Sequence, residues 1–143
     1  MTTRRAAGRL LLASLLSACG GTPTTPTSNL SGQWQGIIES AADGAGTITF
    51  QLTQSGLNVE GTVRLTQGGI ADVSGTLTGT LAKAAPPTTM QYVVTYQYGP
   101  FQCQGTFSGI SSVTRGEMAG SFNGQNCVRT FAGLLRVARG DAR

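Results

Sequence analysis

Histidine is absent from this chain of 143 residues, and charged side chains make up only 11% of it. Without the one side chain that normally titrates near neutrality, Ser-His-Asp and Cys-His catalysis and His-ligated zinc are all excluded. An enzyme would have to work with carboxylates alone, of which there are six. Glu39, Asp43, Glu60, Asp72, Glu117 and Asp141 are scattered, most on outward strand positions or in turns. No pair is placed to share a proton as acid and base. The sequence therefore reads as non-catalytic, with no cofactor or metal expected. Long apolar runs are missing too: Leu10 to Leu16 spans seven residues, far short of the ~20 that cross a bilayer as a helix.

What is present starts with an address. Met1 to Arg9 carries three arginines, the apolar run follows, and Ser17-Ala18 supplies small residues before Cys19. That is the layout of an export signal. Leu16-Ser17-Ala18-Cys19 resembles the lipobox of bacterial lipoproteins at all four positions. The resemblance implies that residues 1–18 are removed, that the Cys19 thiol carries a diacylglycerol, and that the new amino group is acylated. Two or three chains hold a protein on a membrane far better than one. It also implies a cell-envelope location, with Gly20, in place of Asp, pointing to the outer membrane in a host that has one. Losing Arg4, Arg5 and Arg9 leaves seven basic residues against six acidic ones, so nucleic acid is not expected as a partner. Residues 19–29 read as the lipidated Cys and an extended linker (GGTPTTPTSN), residues 30–139 as one folded domain and 140–143 as a tail.

From Leu30 onward the pattern has period two, and no stretch has helical period. Turn chemistry at Ala42-Asp43-Gly44, Ser55-Gly56, Gln67-Gly68-Gly69, Ala85-Pro86-Pro87, Gly99-Pro100, Thr114-Arg115-Gly116 and Asn123-Gly124 divides it into eight strands. These are expected at 31–39, 46–54, 57–66, 70–82, 89–98, 101–111, 115–122 and 127–138. Short connections make neighbours antiparallel, and closing the meander removes both edges, so the expected fold is all-β, an eight-stranded up-and-down barrel. Apolar residues share the inward parity, whereas Thr, Ser and Gln dominate the outward one. A membrane-spanning barrel needs the opposite pattern. A template recurs at Val59-Glu60-Gly61-Thr62-Val63, Val73-Ser74-Gly75-Thr76-Leu77, Cys103-Gln104-Gly105-Thr106-Phe107 and Met118-Ala119-Gly120-Ser121-Phe122. Each copy puts a glycine on the apolar face, making room either for a ligand or for the barrel's own aromatics.

Assigning Cys19 to lipid leaves Cys103 and Cys127 as an even pair in an oxidising compartment, without CxxC spacing, and a structural disulfide is expected. Gly32-Gln33-Trp34 at the start of the first strand resembles the GxW of the calycin superfamily, which includes lipocalins, fatty-acid-binding proteins and avidins. The resemblance implies that Trp34 closes one end of the barrel against a basic residue of the last strand, here Arg136 and Arg139. Avidin-like biotin binding would use several tryptophans, and Trp34 is the only one. Arg129 shares parity with Phe131 at the other end, where it meets either solvent or an acidic ligand head. Two functions remain: a membrane-anchored module binding another protein through its outer surface or loops, or a carrier of a small apolar ligand in the lumen. The outward apolar residues Ile37 and Leu134, neighbours once the barrel closes, are the first candidates for a partner patch.

Overall fold

The computed structural model describes residues 29–67, 70–98 and 103–140, without the side chains of residues 70–72 and 98. The leader, Cys19 and most of the linker lie outside the described residues. Eight strands follow in order: β1 Gly32–Ser40, β2 Gly44–Ser55, β3 Asn58–Gln67, β4 Ile70–Leu81, β5 Thr88–Tyr98, β6 Cys103–Val113, β7 Glu117–Gln125 and β8 Thr130–Arg139. Every neighbour is antiparallel, and β1 pairs with β8 to close the barrel. The architecture is compatible with a calycin-like fold.

The alternation of the sequence becomes the wall. Trp34, Ile38, Ile48, Phe50, Leu52, Val63, Leu77, Tyr92, Val94, Phe107, Phe122, Leu135 and Val137 are all buried inside. The hydroxyl and amide side chains between them face out.

Eight strands enclose a lumen barely wide enough for side chains; Trp34 and Phe50 pair with each other, and the five other described inward aromatics fit because of what lies opposite them. Tyr92 is the direct cross-strand partner of Gly79 and Gly109, and Tyr96 of Gly75 and Gly105. Phe122 pairs with Gly109 and Gly133, and Gly124 pairs with both Phe107 and Phe131. Each ring therefore rests on strand positions that carry no side chain. A Cβ at Gly105 would sit 2.5 Å from Cε2 and Oη of Tyr96, and one at Gly124 would meet the rings of Phe131 and Phe107. The rings then pack on each other: Phe107 lies 5.1 Å from Phe122, 6.1 Å from Tyr96 and 6.4 Å from Tyr92 between centroids. Of the four repeated glycines, Gly75 and Gly105 make room for Tyr96, whereas a Cβ at Gly61 would meet Gln51 and Leu52 and one at Gly120 would meet Ile110 and Ser111. Tyr98 and Phe101 fall outside the described side chains.

Several expected strand ends move by one to three residues, most of all around the β7–β8 turn. The turn read at Asn123-Gly124 is strand instead, because Gly124 sits beneath Phe107 and Phe131 as a paired residue of β7. The turn lies two residues further on, where the Asn126 side-chain oxygen accepts hydrogen bonds from the backbone N–H groups of Val128 (2.9 Å) and Arg129 (3.0 Å). That local bonding is what Asn does well at a turn. In consequence β8 begins at Thr130, and Cys127 belongs wholly to the turn. There it is bridged to Cys103 at the start of β6, with the Cα atoms 5.8 Å apart.

Candidate functional site

The barrel has a plugged end and a mouth. At the plugged end the chain enters through Leu30, which is fully buried although it precedes β1. Its carbonyl accepts a hydrogen bond from the indole Nε1 of Trp34 (2.8 Å), and its amide donates to the side-chain oxygen of Gln54 (2.7 Å). Gln54 in turn donates to the carbonyls of Gly56 (2.8 Å) and Ala84 (2.9 Å), tying the entering segment to two hairpin turns. The Arg139 guanidinium carbon lies 5.4 Å from the centroid of the Trp34 ring, and its Nη2 donates to the carbonyls of Asn29 and Ser31. A cation in this position over an indole contributes roughly 0.5 to 2 kcal/mol. Gly32 has φ +125° beside that guanidinium, a backbone region open to glycine.

Arg136 is not part of this arrangement. Parity explains the difference: Val137 points inward and is buried, so Arg136 points out, where its Nε donates to Glu117 Oε1 at 2.7 Å. The pair is exposed and contributes little.

At the mouth, Arg129 neither stands alone in solvent nor turns into the lumen. It pairs with Asp43 of the β1–β2 turn, bridging the rim. Beneath that bridge, Ile38, Leu65, Tyr96, Phe107 and Phe131 surround a void of about 30 Å³. That is about the share of one water molecule in the liquid. Ligand pockets begin near ~300 Å³, so this void has no room for a carried molecule.

Two hydroxyls are buried deeper in the wall. Tyr92 Oη and Ser111 Oγ have no well-formed hydrogen bond among the described residues. Burial pushes the Tyr92 phenol up to about 12, partly offset by the neighbouring Ser111 hydroxyl. A group so reluctant to ionise is no general base at neutral pH. Among the described residues no cluster of Cys, Asp or Glu is arranged to hold a metal.

The spacious features among the described residues are open ones on the outer wall. An open trough of about 730 Å³ runs across β3 to β7, with the backbone of Gly79 and Gly109 in its floor. Val93 and Ile110, exposed by 45% and 57%, stand within it. The sequence reading missed this trough, since it depends on which outward residues fall side by side across five strands.

Ile37 and Leu134 are exposed by 53% and 64%, on the adjacent strands β1 and β8. The register places Ile37 opposite Arg136 and Leu134 opposite Glu39, so the two apolar side chains are diagonal neighbours with charges between them. Their patch is small. In comparisons with known proteins, no family model matches the chain, and no curated protein matches it.

Proposed function

We propose that the chain is a lipid-anchored, non-catalytic protein of the bacterial cell envelope whose barrel binds through its outer wall and loops. One observation carries this reading: the described lumen is filled by aromatic side chains down to a void of about 30 Å³, while the exterior carries a trough of about 730 Å³. A carrier of an apolar ligand needs those volumes the other way round. The absence of His, the dispersed carboxylates and a Tyr92 phenol held neutral support a non-catalytic role. The anchor rests on the Leu16-Ser17-Ala18-Cys19 sequence and the linker behind it.

Two measurements test the proposal. Metabolic labelling with a fatty-acid analogue marks the wild-type chain and is lost in Cys19→Ala; labelling that survives the substitution removes the anchor. Native mass spectrometry of the domain released from its own envelope shows the bare protein mass. A retained apolar molecule would reverse the ranking and make the barrel a carrier.

A further inference from the structure

The glycine-threonine template has so far explained only the inside of the barrel, yet its outward half is just as regular. Thr62 lies opposite Thr76, Thr76 opposite Thr95, and Thr95 opposite Thr106, a single cross-strand row. Gln51 and Gln125 extend it at either side. The row crosses six strands without a charge.

Directly beside this row, toward the plugged end, lies the trough. Two inward glycines outside the template, Gly79 and Gly109, lie in its floor. A Cβ at either would crowd a carbonyl oxygen of the next strand, that of Gln91 or of Ser121. Seen from outside, the line through these positions is a shallow channel that follows the curve of the wall. Five strands at a spacing of ~4.8 Å make it about 19 Å long.

The chemistry of the channel is narrow. Its rim carries hydroxyl and amide groups, among them Thr78, Gln91, Ser108 and Asn123, and Glu60 is the one charged side chain on it. Hydroxyls and amides both donate and accept hydrogen bonds. A ligand matched to them must itself be rich in groups that do both. Phosphates, nucleic acids and acidic polymers are poorly served, because no Lys or Arg lines the channel. Val93 and Ile110 add an apolar strip, so the ligand also presents C–H surface.

We propose that this trough binds a neutral glycan chain. Sugar rings combine hydroxyls that donate and accept with C–H faces, and a chain of linked rings has the extended shape the channel admits. In this arrangement Val93 and Ile110 take the C–H face, Thr78, Ser108 and Asn123 meet the hydroxyls, and Glu60 accepts from two adjacent hydroxyls through charge-assisted bonds. This assignment rests on the exterior-binding reading and names its ligand class.

The test uses the full chain in mild detergent, sedimented with insoluble chitin, cellulose and starch as three neutral probes. At least one should retain the wild type, and the matching soluble tetrasaccharide should release it. Thr78→Lys combined with Ser108→Lys places two long side chains on either side of Val93, and retention should be lost. Gln35→Lys with Ala138→Lys adds the same charge on the opposite wall and should leave retention intact. Retention unaffected by the first pair overturns the trough as the site. Failure of all three polysaccharides to retain the wild type overturns the glycan assignment and leaves exterior binding standing, since that reading falls only if the lumen is found carrying a ligand.

Discussion

Replacing Gly105 by Ala adds one methyl group, and the structure says where it goes. The new Cβ would lie 2.5 Å from Cε2 and Oη of Tyr96, about 1 Å inside the ordinary contact distance of ~3.5 Å. Tyr96 can retreat only into the void of about 30 Å³ that it borders, since its ring already packs 6.1 Å from that of Phe107. Overpacking of this kind costs about 1–3 kcal/mol, and the blocked ring places Gly105→Ala near the upper end. For a domain of this size that lowers the melting temperature by roughly 10–20 °C. The obstacle is a side chain, so removing it should relieve the strain: Tyr96→Val with Gly105→Ala should be more stable than the sum of the single effects by about 2 kcal/mol. Gly133→Ala is the contrast. There the added Cβ would overlap the Glu39 carbonyl oxygen and lie 2.9 Å from its carbon, as well as 2.7 Å from Phe122 Cζ. Backbone cannot be trimmed away, so Phe122→Leu should rescue Gly133→Ala by no more than ~0.5 kcal/mol. Urea unfolding of the wild type and the six variants gives all the required differences from Cm at constant m. Wild-type stability for Gly105→Ala, or strict additivity with Tyr96→Val, would refute the account of ring against glycine.

Reduction of the bridge between Cys103 and Cys127 should remove ~3.5 kcal/mol in the chain-entropy model for a loop of this length; thiol titration of folded material that finds both sulfurs free would end that expectation. Tyr92 gives a pH signature. Its phenol is held at about 12 in the fold against 10.0 when unfolded, so above pH 10 the unfolded chain loses the proton first. Its contribution is complete below pH 10 and falls by on the order of 2–3 kcal/mol as pH rises toward 12. Tyr92→Phe should flatten this limb in denaturation curves, and an unchanged limb assigns the loss to other groups. Replacing Ile37 and Leu134 together by Ser should leave the unfolding midpoint nearly unchanged while weakening any self-association seen by sedimentation; identical sedimentation would retire that patch.

The strands were readable because one face of each is apolar and the other is Thr, Ser or Gln, and only a two-residue period puts them there. Inward glycines opposite aromatics were readable in kind, since the template places each glycine on the apolar parity. Arg139 shares the parity of Val137 and Arg136 does not, so alternation alone already separates two residues that the resemblance offered together. Other features needed the third dimension. Asn123-Gly124 looks like a hairpin turn, but the space under Phe131 claims Gly124 for the strand, and Asn126 supplies the turn instead. Leu30 heads the alternating pattern on the parity of Trp34 but lies ahead of the expected strand 31–39, so the sequence did not mark it as the plug of the barrel end. It is buried because Trp34 and Gln54 hold its backbone. The trough was the least readable of all, being made by the register of five strands and not by any segment of sequence.

The position of the chain ends ties these parts together. Asn29 enters and Gly140 leaves at the plugged end, where the Gly140 amide donates to the Gln33 carbonyl at 2.8 Å. A lipid on Cys19, ten residues before Asn29, would therefore pull from the end sealed by Leu30, Trp34 and Arg139. Several bonds converge there: an indole and a buried amide each satisfied, and a guanidinium binding two carbonyls of the entering segment. Such a seal keeps β1 from fraying under the tether, because peeling Leu30 away exposes its side chain and orphans the Trp34 N–H together. The mouth, with its Arg129–Asp43 bridge and disulfide-pinned turn, faces away from the membrane in that arrangement. The trough lies on β3 to β7 and shares no residue with the seal of Leu30, Trp34 and Arg139, so the proposed binding surface and the proposed anchor draw on different residues of one small barrel.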